Sequence, residues 1–163
     1  MKSPYYVRFG SLSEGQHEFD FELDRAFFVS FDQEEILDAK VKAELMLIKR
    51  SNGLELIFEI KGNLILPCDR CLEAADIPFE SFETLHVRFG ETEDLESEII
   101  VLDNSAYELD LKQFLYEYCM LALPMQKMHD FDCTESDQSE EKEEHIETDP
   151  RWEALKNLKL KEK

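Results

Sequence analysis

Basic residues and glycine are scarce in this sequence, and each scarcity excludes a class of function. The 163 residues contain 18 Lys and Arg against 38 Asp and Glu, which gives a formal net charge of −20. This charge repels phosphate backbones and anionic membrane surfaces, so the chain is not a generally basic nucleic-acid binder. With only five glycines and no Gly-rich phosphate loop, a nucleotide-binding enzyme is disfavoured as well.

Long apolar runs are also missing. The longest uncharged run of interest, residues 118–126, is far shorter than the roughly 18 or more apolar residues of a membrane helix. The first residues, Met1 to Pro4, lack the apolar region of a signal peptide. Both features predict a cytoplasmic protein. In that compartment the four cysteines are expected to be thiols or metal ligands rather than disulfides.

The negative charge is concentrated near the end of the chain. Residues 132–149 hold nine acids and one base, whereas residues 150–163 hold two acids and five bases. Such an acidic run predicts a solvated linker, and Pro150 followed by Trp152 at helical spacing from Leu155 predicts a short helix beyond it. We therefore expect an α+β domain over 1–131, an acidic flexible linker over 132–149 and a short C-terminal helix over 150–163.

Apolar and polar residues alternate along most of the first 103 residues, as in Phe19 to Leu23. This period is typical of strands with one face in the core and one in water. Asn52 and Gly53 separate two such runs and give the strongest short-range hairpin signal. We predict a mainly antiparallel, barrel-like β-sheet.

Two segments break the alternation. Residues 24–31 are apolar without a period and start at a capping residue, Asp24, which predicts a short helix or turn that plugs one end of the sheet. Residues 110–123 change to a helical period, with Asp110 as candidate N-cap and Pro124 as the stop. This second helix is expected to cover an open face of the sheet.

The local chemical motif of the chain is Cys68-Asp69-Arg70-Cys71. Two thiolates at this spacing are able to turn onto one cation, as in tetrahedral zinc sites, but a site needs further ligands. His129 and Cys133 follow the predicted helix and offer a second pair. Zinc is thus the cofactor that these residues suggest.

Two alternatives to zinc stay open for Cys68 and Cys71. The pair is compatible with a plain turn that carries half-buried thiols, or with a redox pair of low thiol pKa. Redox motifs of this kind begin a helix in a βαβ unit, whereas the surroundings here are predicted strands. Cys119 falls inside the helical pattern and is expected to be a core thiol.

No serine-nucleophile, zinc-protease or dinucleotide-binding motif is present in the sequence. The basic residues that could contact a binding partner are scattered along the sequence. The candidates are Lys49, Arg50 and Arg70, and Trp152 in the tail is an aromatic candidate for the same role.

The order of these pieces resembles a known family. The sequence reads G-N-L-I-L-P-C-D-R-C-L-E over Gly62–Glu73, L-A-L-P over Leu121–Pro124 and D-P-R-W-E-A-L-K-N-L over Asp149–Leu158, with His129 and Cys133 between the last two. This combination is similar to the YceD family, the large ribosomal RNA subunit accumulation proteins. In many members the region after L-P carries further cysteines that look like part of a zinc site. Here that region holds one Cys and one His.

The resemblance implies a non-catalytic cytoplasmic factor that supports the processing or accumulation of large-subunit ribosomal RNA. Because the chain is acidic, its expected partner is a basic ribosomal protein or the pre-ribosomal large subunit, with direct RNA contact local at most. The alternative is a zinc- or thiol-dependent protein that uses Cys68 and Cys71. A general acidic interaction module is a third possibility.

Overall fold

The computed structural model describes residues 5–90 and 99–129. The predicted linker (132–149) and C-terminal helix (150–163), and with them Cys133 and Trp152, lie outside the described residues. In chain order the strands are β1 (Tyr6–Val7), β2 (Gly15–Asp24), β3 (Asp38–Arg50), β4 (Gly53–Pro67), β5 (Ala74–Phe89), β6 (Ile99–Leu102) and β7 (Leu109–Asp110). The helices are α1 (Arg25–Val29) and α2 (Lys112–Ala122), with one 3-10 turn at Phe9–Ser11. Neither α-helix is long and apolar enough to cross a membrane.

The five longer strands form one mixed sheet in the order β2-β3-β4-β5-β6, and β1 pairs separately with β7. Strands β2 to β5 are antiparallel neighbours, whereas β6 runs parallel to β5. The α+β class and a mainly antiparallel sheet are therefore confirmed, but the barrel-like arrangement was wrong, because the sheet is open and one of its pairings is parallel. Strands β2 and β6 are the two edges of an open sheet. Alternation in a sequence fixes which face of a strand is apolar, and it carries no information on strand direction or closure.

The hairpin predicted at Asn52-Gly53 joins β3 to β4. Arg50 pairs with Gly53, so the two turn residues are Ser51 and Asn52, one position earlier than predicted. A Cβ atom at Gly53 would lie 2.2 Å from the carbonyl oxygen of Val87 in β5. The glycine is needed for this close approach of the neighbouring strand.

The inner face of the sheet forms the core, as the alternation predicted. Large side chains from all four long strands are fully or almost fully buried there, among them Leu23, Leu45, Leu47, Leu56, Phe58, Ile60 and Leu64. Complete burial of each such side chain contributes about 1.5–3 kcal/mol. The opposite face of β2, β3 and β5 is largely exposed, whereas that of β4 is mostly half-buried.

Helix α1 confirms the short helix predicted over 24–31. The Asp24 side chain accepts a hydrogen bond from the Phe27 backbone N–H at 3.0 Å and caps the helix. Phe27 and Phe28 are buried and meet edge to face with ring centroids 5.1 Å apart. The helix thus adds two aromatic rings to the core.

Helix α2 confirms the helix predicted over 110–123, but the predicted N-cap was wrong: Asp110 is the last residue of β7, and Leu111 is the N-cap. Asp110 Oδ1 accepts a hydrogen bond from the Lys112 backbone N–H at 2.9 Å, and the helix ends before Pro124. Leu115 and Cys119 on one side of the helix are fully buried. The helix packs against β5, so it covers part of the inner face and leads the chain towards the end of β4.

Candidate metal centre

A tight turn between β4 and β5 carries the two cysteines of the C-x-x-C motif. The Leu72 backbone N–H donates to the Cys68 carbonyl at 3.0 Å, and the Cys68 N–H donates to the Glu73 carbonyl at 2.8 Å. We call residues 68–72 the knuckle. Leu72 has a φ of +62°, a left-handed conformation that L-residues with large side chains rarely adopt. The backbone is therefore held in a strained form where it turns the two thiols to one side.

The segment after α2 returns the chain to this knuckle. The Asp69 backbone N–H donates to the Lys127 carbonyl at 2.8 Å, and the Lys127 N–H donates to Asp69 Oδ2 at 2.7 Å. The Lys127 Nζ atom lies 4.0 Å from Asp69 Oδ1. These contacts fix the position of His129, two residues further along the chain.

Three potential ligand atoms meet at this point. The Sγ atoms of Cys68 and Cys71 and a ring nitrogen of His129 all lie within 4.8 Å of one another. Two thiolates on one tetrahedral zinc ion are roughly 3.8 Å apart, given Zn–S bonds of about 2.3 Å. A contraction of about 1 Å at most would bring the three atoms to zinc-binding distance. This is the one such cluster of ligating side chains within residues 5–90 and 99–129.

The chemistry of the donor set fits a metal ion. His129 Nε2 is buried and has no hydrogen-bond partner among the described residues, and a buried polar atom without a partner costs about 1–3 kcal/mol. A metal bond to Nε2 would remove this cost. The residues present therefore supply three of the four ligands that a structural zinc site uses.

The surroundings of Cys68 favour the thiolate form of its side chain. Backbone N–H groups of Cys71, Arg70 and His129 lower the pKa of the Cys68 thiol to about 6, although desolvation opposes them. The Arg70 N–H lies 3.5 Å from Cys68 Sγ. The sulfur is thus prepared for a cation or for thiol chemistry, as both the zinc and the redox interpretations require.

Cys119 behaves differently from the knuckle thiols. It is fully buried in α2, and its burial raises the thiol pKa to about 12. This confirms the prediction of a core thiol. Cys133, the remaining member of the predicted ligand set, lies outside the described residues.

The predicted partner-binding bases are not brought together. Lys49 Nζ donates to the carbonyls of Phe9 and Leu12, both at 2.8 Å, and Arg50 pairs with Glu55 at 3.0 Å. Arg70 is exposed in the knuckle, at the other end of β4 and thus roughly 45 Å away along a strand that rises about 3.3 Å per residue. Lys49 therefore has a structural role, and of these three predicted bases Arg70 is the one in the knuckle.

Sequence reasoning missed the residues that assemble the cluster. Asp69 stands inside the C-x-x-C motif, where it was read only as a spacer, and Lys127 was not considered. The one sequence feature that could have indicated this role for Asp69 is its position as a carboxylate between two cysteines. Its partner is 58 residues away, and no local pattern identifies a contact of that range.

The fold and the cluster together define a class of small α+β proteins. In this class a cysteine knuckle lies at one end of an open sheet, and a histidine from the segment after the covering helix lies beside it. Residues 56–159, well over half of the chain, match the family model described as "Large ribosomal RNA subunit accumulation protein YceD". The chain belongs to the YceD family, which confirms the resemblance seen in its motifs. No curated protein and no solved structure matched the chain.

Proposed function

We propose that this protein is a non-catalytic factor of large ribosomal subunit biogenesis, which acts in the cytoplasm by binding a basic ribosomal protein or the pre-ribosome. The family match over residues 56–159 is the observation that carries the proposal. The family's description links it to accumulation of large-subunit ribosomal RNA and names no reaction.

Charge supports a protein partner over naked RNA. A net charge of −20 opposes approach to a phosphate backbone and favours approach to a cationic protein. Lys49 donates to backbone carbonyls and Arg50 pairs with Glu55, so these candidate bases are engaged within the chain. Any RNA contact is then local.

Gradient fractionation of a lysate tests the proposal. The protein is expected to co-migrate with large-subunit precursors, and its deletion is expected to lower large-subunit ribosomal RNA while small-subunit RNA is retained. Absence from every precursor fraction, together with unchanged RNA levels in the deletion strain, would show that the proposal is wrong.

A second function is favoured by the unpartnered Nε2 atom of His129 beside two thiols. We propose a structural zinc site formed by Cys68, Cys71 and His129, with Cys133 as the fourth ligand. Bound zinc would link the knuckle to the segment after α2 and so fix the end of the domain. The expected result is one zinc per chain after purification without chelator, lost on Cys68→Ser and retained on Cys119→Ser. Metal-free protein with a reversible Cys68–Cys71 disulfide would favour the redox alternative instead.

A further inference from the structure

The solvent face of the sheet presents an ordered array of charged and apolar side chains. Its three central rows, read across β2, β3, β4 and β5, are Glu18–Met46–Ile57–Thr84, Asp20–Glu44–Glu59–Phe82 and Glu22–Lys42–Lys61–Glu80. They contain six carboxylates and two lysines. This face belongs to neither the core nor the metal-ligand cluster, and nothing in the described residues covers it.

The middle row places like charges side by side. Asp20, Glu44 and Glu59 stand directly opposite one another on three adjacent strands, and such neighbours have Cβ atoms about 4.5–5.5 Å apart and destabilise a sheet. Lys42 offsets part of this repulsion, because its Nζ lies 2.5 Å from Glu44 and 3.6 Å from Asp20. Lys61 does the same for Glu59 at 2.5 Å.

A groove follows this row and the one beside it. Four carboxylates (Glu18, Asp20, Glu44 and Glu59) and two apolar side chains (Met46 and Ile57) line it. We call it the outer groove. Its volume of about 210 Å³ is below the ~300–1,000 Å³ of pockets that enclose small-molecule ligands. A single protruding side chain is a better match to this size than a metabolite.

Apolar surface accompanies the negative charge. Met46 is 37% exposed, and Phe82, which ends the row of Asp20, Glu44 and Glu59, is 61% exposed. A lysine or arginine side chain has both parts that such a groove accommodates, an aliphatic stem for Met46 and Ile57 and a cationic head for the carboxylates. The acids outnumber the two lysines at the edge of the groove, so a net negative charge remains for a ligand.

We infer that the outer groove docks a Lys- or Arg-rich protein segment, with one basic side chain laid on Met46 between the carboxylates of Glu18, Asp20, Glu44 and Glu59. The inference rests on the proposed function, since a basic assembly partner is the ligand expected there. It adds where that partner binds and through which contacts. A nucleic acid is the wrong occupant because the groove presents carboxylates to its phosphates.

Fluorescence anisotropy with the full-length protein tests the inference. The probe is a labelled 12-residue peptide of six arginines alternating with leucine and glycine, and a 12-nucleotide RNA is measured in parallel. The double variant Glu44→Gln/Glu59→Gln removes two groove charges without changing side-chain size. The matched control Glu34→Gln/Glu35→Gln removes two exposed charges in the segment between α1 and β3, so both variants have the same net charge.

The groove variant is expected to bind the peptide about 3- to 10-fold more weakly than the wild type, since two exposed ion pairs are lost. The control is expected to change by less than about 2-fold, and higher salt is expected to reduce the difference between them. Met46→Thr is expected to weaken binding at constant net charge, which separates docking in the groove from general attraction to an acidic protein.

Equal weakening by the groove and control pairs, or displacement of the peptide by the RNA, would overturn the inference. These outcomes do not depend on the ribosome. Wild-type protein that binds the peptide through the groove and yet is absent from precursor fractions would refute the proposed function and leave the docking surface established.

Discussion

Asp69 and Lys127 are joined by two hydrogen bonds across 58 residues of sequence, one between their main chains and one to the Asp69 carboxylate. The Asp69 N–H donates to the Lys127 carbonyl at 2.8 Å, and Asp69 Oδ2 accepts from the Lys127 N–H at 2.7 Å. Asp69 lies one residue after Cys68, and Lys127 lies two residues before His129. The pair therefore sets the distance between the thiols and the imidazole.

Removal of the Asp69 carboxylate is expected to weaken metal binding. Asp69→Ala leaves the Lys127 N–H without its acceptor and frees the segment that carries His129, and residues that orient ligands typically affect metal affinity about 10- to 100-fold. Competition with a chromophoric zinc chelator measures the change. Lys127→Ala is the matched control, because its backbone N–H and carbonyl remain, and its affinity is expected to stay within about 2-fold of the wild type. Equal losses in both variants would contradict this arrangement.

The stability of the metal-free protein is expected to depend on pH through Cys68. Its thiol pKa falls from an ordinary value of 9.0 to about 6 in the folded chain. The folded state therefore binds fewer protons between these values. The free energy of unfolding rises with pH across this window, reaches its full value above about 9 and is lost as the pH falls through 6.

Urea denaturation at several pH values measures this dependence after treatment with a chelator. Cys68→Ser is expected to flatten the rise between pH 6 and 9. Cys119→Ala is the control, because burial raises the pKa of that thiol from 9.0 to about 12, so it is neutral in the folded state and starts to ionise in the unfolded state only near pH 9. If the free energy of unfolding of Cys68→Ser still rose with pH between 6 and 9, the pH dependence would belong to other groups.

The sequence predicted strand faces and helices because these depend on local periods. Phe58 is fully buried and Asp20 exposed, as alternation required, and Asp24 caps α1 as its residue type suggested. Strand direction and closure depend on long-range pairing, such as that of β6 beside β5, which alternation does not encode. In the candidate site, the sequence predicted a common site for Cys68, Cys71 and His129, and the structure brings these three side chains together.

The sequence did not predict the outer groove, for a similar reason. Glu18, Glu44 and Glu59 lie on three strands, and only the register places them in adjacent rows. In the sequence each one is an ordinary polar residue on the solvent side of a strand. Prediction of such a surface requires the pairing of the strands as well as their faces.

Leu72→Gly is expected to stabilise the protein, although it removes a large side chain. Leu72 is 78% exposed, so removal of its side chain loses little buried apolar surface. Its φ of +62° is strained for leucine and ordinary for glycine. The relief is expected to be about 1 kcal/mol, the usual scale of this penalty. Denaturant unfolding measures it, with Leu121→Gly as a contrasting variant, because Leu121 is 79% exposed in α2 and glycine disfavours a helix by about 1 kcal/mol. Destabilisation by both variants would mean that the Leu72 side chain contributes to the fold.

Gly62 in the middle of β4 is expected to tolerate no side chain. A Cβ atom there would lie 2.4 Å from the Lys40 carbonyl oxygen and 2.6 Å from the Val41 Cα atom, so the backbone of β3 would have to move. Gly62→Ala is expected to lower the free energy of unfolding by about 1–3 kcal/mol, as overpacking does in cores. Gly90→Ala serves as the control in urea denaturation, because its nearest neighbour would be Val101 Cγ1 at an ordinary 3.8 Å, and its effect is expected to stay within about 0.5 kcal/mol. If both variants had the same free energy of unfolding, β3 and β4 would have to be further apart at Gly62 than the pairing of Gly62 with Val41 indicates.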